Sequence, residues 1–259
     1  MKPSFIVTIE ARMSSKRLPG KVLFKINDNL TILEKIINEV KKSKYVKKII
    51  VAIPSLKSDD VIAKVIKKKA IIFRGPHKNV LKRIYLATKS HKENSIIQLT
   101  ADNPLIDHKI IDYTVDYYFK NHPFYDYVSN NNFFQKQKKT FPIGTNVSVF
   151  KKNKLSKIYK IAKQEDLKEH PTLYFYREGK KLFNIKNIKA PKKWISKRKL
   201  RLTVDTKEDF DFVKILVKKL GIKNLELSKI IKFVEKNTYL LSINKNIKQK
   251  MPLIKLIKK

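Results

Sequence analysis

Phe5-Ile6-Val7-Thr8-Ile9 runs directly into Glu10-Ala11-Arg12-Met13-Ser14-Ser15-Lys16-Arg17-Leu18-Pro19-Gly20-Lys21, and this junction governs how the rest of the chain is read. The apolar run predicts a buried strand. The segment after it carries two Ser, a Pro-Gly pair and four cations, without apolar periodicity. A strand that empties into such a loop is a candidate cradle for a polyphosphate. Backbone N–H groups and hydroxyls there can bind phosphate oxygens, while Arg12, Arg17 and Lys21 neutralise them. A solvated basic loop is the plainer alternative.

Outward from that loop, apolar strands alternate with amphipathic helices. Thr31 and Glu34 form a capping box that opens a helix over 31–42, with Ile32, Leu33, Ile36, Ile37 and Val40 on one face. Strands are predicted at 48–53, 70–73 and 95–99, and helices from Ser58, over 79–90 and over 107–120. The βαβ repetition predicts an α/β fold with a mostly parallel sheet sandwiched by helices. Ligands on such sheets bind beyond the carboxyl ends of the strands. The loops holding 12–21, Arg74-Gly75 and Asp102 therefore converge on one crevice.

The second half is less regular. Strands are expected at 127–129, 147–150, 182–188 and 199–204, and helices at 153–163, 169–177 (with Pro171 in its first turn), 206–220 and 228–237. Residues 130–139 form a polar, Lys- and Asn-rich excursion, and the stretch from Asn244 is basic and apolar. Lys136 to Lys139 and 192–201 read as solvated charge. Trp194 reads as a cover for apolar surface.

With 259 residues and 42% hydrophobic content, the chain can bury one large α/β core. There is no Cys, which excludes disulfides and thiolate metal sites. No leader core or run of about 18 apolar residues is present, so no membrane span and a cytoplasmic setting are expected. The net charge of +38 comes almost wholly from scattered Lys, so a specific nucleic-acid partner is not expected. Arg occurs only at Arg12, Arg17, Arg74, Arg83, Arg177, Arg198 and Arg201. Each is thereby a stronger candidate for bidentate anion recognition.

At this point the residues resemble a known family. The segment from Glu10 to Leu23 is similar to the N-terminal signature of the cytidylyltransferases: CMP-Kdo synthetases, acylneuraminate cytidylyltransferases and, nearest, the spore coat polysaccharide biosynthesis protein F-like branch. Further segments match in order: Asn79-Val80-Leu81-Lys82-Arg83, Leu99-Thr100-Ala101-Asp102-Asn103-Pro104, Phe141-Pro142-Ile143-Gly144, Glu169-His170-Pro171-Thr172 and Leu202-Thr203-Val204-Asp205-Thr206. The resemblance implies a glycosyltransferase-A-like (Rossmann-like) fold of nucleotide-diphospho-sugar transferase type. It implies magnesium-dependent transfer of CMP from CTP to a sugar or sugar acid, with release of pyrophosphate, for cell-surface polysaccharide synthesis by a homodimer.

By the same resemblance, Arg12, Arg17, Lys21, Asp102 and Asp205 are catalytic, and Asp102 and Asp205 hold the metal. Ala11, Arg12, Ser14, Ser15, Arg17, Lys21, Arg74, Thr100 and Ala101 contact the nucleotide. Residues 1–222 form the catalytic domain, with a dimerisation or sugar-binding insert near 127–150, and 223–259 form a C-terminal helix and basic tail. The chain departs from the pattern at Asn79, Asn103, Ile143 and Asn146, which points to an altered acceptor. Read without the resemblance, Asp102 suits an Asp-Asn-Pro turn and Thr206 with Asp209 suits a helix cap. A glycosyltransferase or other nucleotide-sugar enzyme on the same fold, or a basic nucleic-acid-binding protein, is the alternative.

Overall fold

A computed structural model describes residues 4–130 and 140–249. Strands β1 (Phe5–Glu10), β4 (Val46–Pro54), β5 (Ile71–Gly75) and β6 (Ser95–Thr100) pair in parallel in the order β5-β4-β1-β6. Beyond β6 the sheet turns mixed. β8 (Ser148–Lys151) runs antiparallel between β6 and β7 (Tyr127–Ser129), and β9 (Ile185–Asn187) closes that edge parallel to β7. A hairpin of β2 (Lys25–Asn27) and β3 (Leu30–Thr31) stands apart; its strands are too short for a period to show in the sequence.

Alternate residues of a strand point to opposite faces, so each strand feeds two cores. Val7 and Ile9 join the larger core with α1 (Ile32–Val40), α2 (Asp60–Ile66), α4 (His108–Lys120), α8 (Lys207–Leu220) and α9 (Leu227–Lys236). On the other face lie α3 (Val80–Thr88), α5 (Lys152–Ile161), α6 (Glu165–Glu169) and α7 (Leu173–Tyr176). The expected α1 capping box is present: Thr31 N–H donates to Glu34 Oε2 (2.9 Å) and Glu34 N–H to Thr31 Oγ1 (3.3 Å). Trp194 is buried, edge-on to Tyr113 at 5.4 Å between centroids, and covers the larger core.

Several expectations for the second half need correction. The helix expected over 169–177 shrinks to α7; Glu169 instead ends α6, and His170–Thr172 part the two. Pro171 lacks an N–H and disfavours helical geometry at the residue before it, and His170 sits at φ −119°, ψ 83°. The strand at 182–188 contracts to β9, after a 3₁₀ turn over Glu178–Lys181. The stretch 199–204 is not a strand of the main sheet. It runs beside Ile143 through one bridge to Arg201, with Leu202 N–H donating to Ile143 O at 2.7 Å. Arg201, read as solvated charge, is 3% exposed. The excursion 131–139 and the end of the chain from 250 lie outside the described residues. So does part of the expected insert near 127–150.

Candidate active site

The loop after β1 curls on itself. Met13 C=O accepts N–H groups from Ser15 and Gly20, each at 2.9 Å, and Gly20 turns at φ +73° into a 3₁₀ turn over Lys21–Leu23. Asp59, the fully buried N-cap position of α2, reaches across and accepts the Met13 N–H at 2.7 Å. Asp59 lies at the start of the helix expected from Ser58. It is also a brace for the loop.

This curl aims Lys21 inward. Its ammonium donates to Asp205 Oδ1 (2.9 Å), Val204 C=O (2.6 Å) and Asp102 Oδ2 (3.3 Å). The two carboxylates therefore meet at one cation. Their segments are stitched at the backbone: Val204 N–H (2.8 Å) and Thr203 Oγ1 (3.1 Å) both donate to Asp102 C=O. Gly144 makes that stitch possible. At φ +95°, a Cβ on it would lie 2.3 Å from Thr203 N.

Asp205 is held from three sides. Arg17 Nη2 lies 2.9 Å and Arg201 Nη2 2.8 Å from its Oδ2. Burial works to raise its pKa. The Lys21 ammonium and the guanidiniums of Arg17 and Arg201 outweigh that and hold it below the ordinary carboxylate value. Arg201 also binds Asp209 through Nε (2.8 Å) and Nη2 (3.0 Å). Asp209 in turn completes the capping box of α8 with Thr206. Asn244 Nδ2 donates to Asp209 Oδ1 (3.0 Å), and Gln249 Oε1 accepts from Arg201 Nη1, so the chain's last described segment returns to this site. Asp102 is the more open carboxylate, its side chain 31% exposed against 12% for Asp205. Its Oδ1 accepts from Thr100 Oγ1 at 2.6 Å, and Asn103 Nδ2 donates to that hydroxyl at 2.9 Å.

The structure thus brings Arg17, Lys21, Thr100, Asp102 and Asp205 together. Ala11 and Ala101 are buried at the strand ends, their N–H groups donated to Ala52 C=O (3.3 Å) and Glu10 C=O (3.1 Å). Ser15 lies in the curl. Ser14 Oγ meets His77 Nε2 at 3.1 Å, on the loop after β5. Arg12 is 3.7 Å from Glu169, at the end of α6. Arg74 pairs with Asp60 of α2 and makes no contact with the acidic pair. Arg201 and Asp209 were missed as site residues; the rarity of Arg was the available signal.

Two carboxylates on separate segments, converging on a position that already stabilises a cation, suit a hard divalent ion whose shell is completed by water and phosphate oxygens. A second gathering, Glu39, Asp107 and His108, serves the scaffold instead. Lys35 and Lys42 donate to Glu39, and Asp107 accepts N–H groups from Lys109 and Leu227, tying α1, α4 and α9 together.

Comparison with known proteins agrees with this architecture. Residues 6–248 match the family described as cytidylyltransferase. An uncharacterized protein of Methanocaldococcus jannaschii is 37% identical, covering 93% of this chain and 95% of its own. The spore coat polysaccharide biosynthesis protein SpsF of Bacillus subtilis is 32% identical over 88% of this chain and 93% of its own. A solved cytidylyltransferase from Leptospira borgpetersenii serovar Hardjo-bovis superposes with TM-score 0.83 at 30% identity, covering 97% of this chain and all of that one. A match spanning nearly the whole chain, on a sheet of the same build, shows that this chain belongs to the cytidylyltransferase family of nucleotidyltransferase enzymes.

Proposed function

We propose that the protein transfers CMP from CTP to the hydroxyl of a sugar, with magnesium, at the cleft formed by Arg17, Lys21, Asp102 and Asp205. The observation that carries the reading is the convergence of Asp102 and Asp205 on the Lys21 ammonium, beside a curled basic loop. Arg17 and Lys21 bind the triphosphate and offset charge that builds on the departing oxygens. Ser14 and Ser15 line the same loop, and Arg12 borders it. Asp102 and Asp205 would hold the metal, which when bound would offset the negative charge that builds up during the transfer.

The acceptor oxygen forms a bond to the α-phosphorus. The bond from that phosphorus to the bridging oxygen breaks, and its electron pair leaves with pyrophosphate. The hydroxyl proton passes to water. Most of the rate gain in such transfers comes from positioning and charge compensation, which is what this set of residues supplies. The name of the Bacillus relative favours a sugar destined for a surface polysaccharide. The resemblance further supports a cytoplasmic homodimer, with residues 1–222 as the catalytic domain.

Pyrophosphate release tests the reading, measured with CTP, UTP, ATP and GTP against a panel of sugars in the presence of magnesium. Release with CTP that stops on chelation supports it. Equal turnover of all four nucleotides, or release indifferent to chelation, refutes it.

A further inference from the structure

The segment after α9 reaches into the back of the site. A 3₁₀ turn over Thr238–Ile243 buries Leu240 in the larger core, with Leu241 and Ile243 packed against it. That apolar anchor delivers Asn244, which is 4% exposed. Among the described residues beyond Asp209, Asn244 is the only polar side chain that is buried. A buried amide is costly unless its groups are bonded, and Asn244 directs its N–H groups at a single pair of residues. Nδ2 donates to Asp209 Oδ1 (3.0 Å) and to the Arg201 carbonyl (3.2 Å). Further along, Gln249 Oε1 accepts from Arg201 Nη1.

Arg201 and Asp209 set the position of Asp205 at both its ends. Asp209 Oδ2 accepts the Asp205 backbone N–H (3.0 Å), which fixes the main chain where the side chain begins. Arg201, held on both Asp209 oxygens, gives Nη2 to Asp205 Oδ2 (2.8 Å). The other cations on Asp205, Arg17 and Lys21, come from the loop after β1. Arg201 is the one rooted in the scaffold, its side chain 4% exposed against 30% for Arg17.

We propose that Asn244 is a positioning residue for nucleotidyl transfer: through Asp209 and Arg201 it fixes the Asp205 carboxylate, so the segment after α9 forms part of the active site. The inference rests on the nucleotidyl-transfer reading and adds to residues 1–222 a contribution from beyond them. Arg17 and Lys21 serve the triphosphate as well as Asp205 on that reading, so the backing by Arg201 is what keeps Asp205 in place while they exchange partners. Asn244 keeps the backing itself in place, since it ties the Arg201 main chain to the Asp209 carboxylate. Removing a group that orients a metal-binding side chain typically costs about 10- to 100-fold in metal affinity or activity, and a group one bond further back belongs at the lower end.

Asn244→Leu keeps the volume of the side chain and removes both bonds; Asn244→Ala removes them with less bulk. Leu240→Ala loosens the same segment through packing alone and is the control for destabilisation. Thermal unfolding gives the Tm of each variant. Calorimetry measures manganese binding in the presence of a CTP analogue with a methylene bridge between the α- and β-phosphorus, and pyrophosphate release is followed over a magnesium series. In both Asn244 variants manganese should bind about tenfold more weakly and half-maximal release should need about tenfold more magnesium, while Leu240→Ala, with Tm lowered at least as far, stays within about twofold of the parent in both. Parent-like metal affinity and magnesium dependence in a folded Asn244 variant overturn the proposal. So does an equal change in Leu240→Ala, which makes the effect one of stability, and so does failure of both Asn244 variants to fold. A parent protein that binds neither the analogue nor manganese removes the nucleotidyl-transfer reading, and this proposal with it.

Discussion

Lys21 Nζ lies 2.9 Å from Asp205 Oδ1, although 184 residues separate the two in the chain. The same ammonium touches Asp102, so it balances two carboxylates that would otherwise repel. Replacing Lys21 with Met removes that balance and one phosphate ligand together. A fall in kcat/KM for CTP of about 100-fold or more is expected, the scale of losing one preorganised charge partner. Lys21→Arg should not restore activity, because a planar fork cannot replace a compact ammonium in a site 8% exposed. Steady-state pyrophosphate release measures both.

Arg201 joins Asp205 to Asp209 inside the protein. Arg201→Met leaves two buried carboxylates short of a partner, which costs about 3–5 kcal/mol. Urea unfolding at pH 7 should show that loss. Adding Asp209→Asn to Arg201→Met should cost less than the sum of the single changes, because the second change removes a charge the first stranded.

Gly144 lets the Phe141–Gly144 segment approach the backbone at Leu202 and Thr203. Gly144→Ala places a Cβ where none fits, at a φ that side chains avoid. A loss of about 2 kcal/mol or more is expected from the strain. Activity should fall further than stability alone accounts for, since Thr203 and Val204 hold Asp102 and present Asp205. Thermal unfolding and turnover of the same preparation separate the two effects.

Two glutamates give stability opposite pH dependences. Burial works to raise Glu39, but Lys35, His108 and Lys42 outweigh it and hold the carboxyl at about 2, against an ordinary 4.5. Its contribution is present above the unfolded value and is lost as pH falls from about 4.5 toward 2. Burial raises Glu10 to about 8, so the folded state keeps a proton that the unfolded chain has released, and stability drains away as pH rises from 4.5 through 8. Glu39→Gln should therefore be destabilising at pH 7 by about 3 kcal/mol, with the penalty shrinking in acid. Glu10→Gln should gain on the parent by about 1–3 kcal/mol at pH 8.5 and little at pH 4. Urea midpoints at pH 4, 7 and 8.5 check both directions.

The first half of the fold was legible because its strands are long, apolar and separated by periodic helices, as from Phe5 to Lys120. The second half was harder to read: β7 and β8 lie where strands were expected, but 199–204 joins through a single bridge and β9 is three residues long. At that length a period of two leaves almost no trace. The loop residues Arg17 and Lys21 and the strand-end Asp102 could be picked out because ligands gather beyond parallel strand ends. Asp59 could not, and for Arg201 the rarity of Arg was the one signal. Asp59 acts through Met13, 46 residues away, and Arg201 through Asp205 and Asp209 just beyond it, across a turn whose fold gives no periodic pattern.

The central claim is that Asp102 and Asp205 together support metal-dependent chemistry on a bound triphosphate. Pyrophosphate release by Asp102→Asn and Asp205→Asn, with CTP, magnesium and the acceptor that the parent protein turns over, tests it most directly. Both variants should stay folded by circular dichroism and release pyrophosphate at less than about 1% of the parent rate, the scale of losing a charge partner aimed at the transition state. Parent-like turnover in both variants would contradict the account.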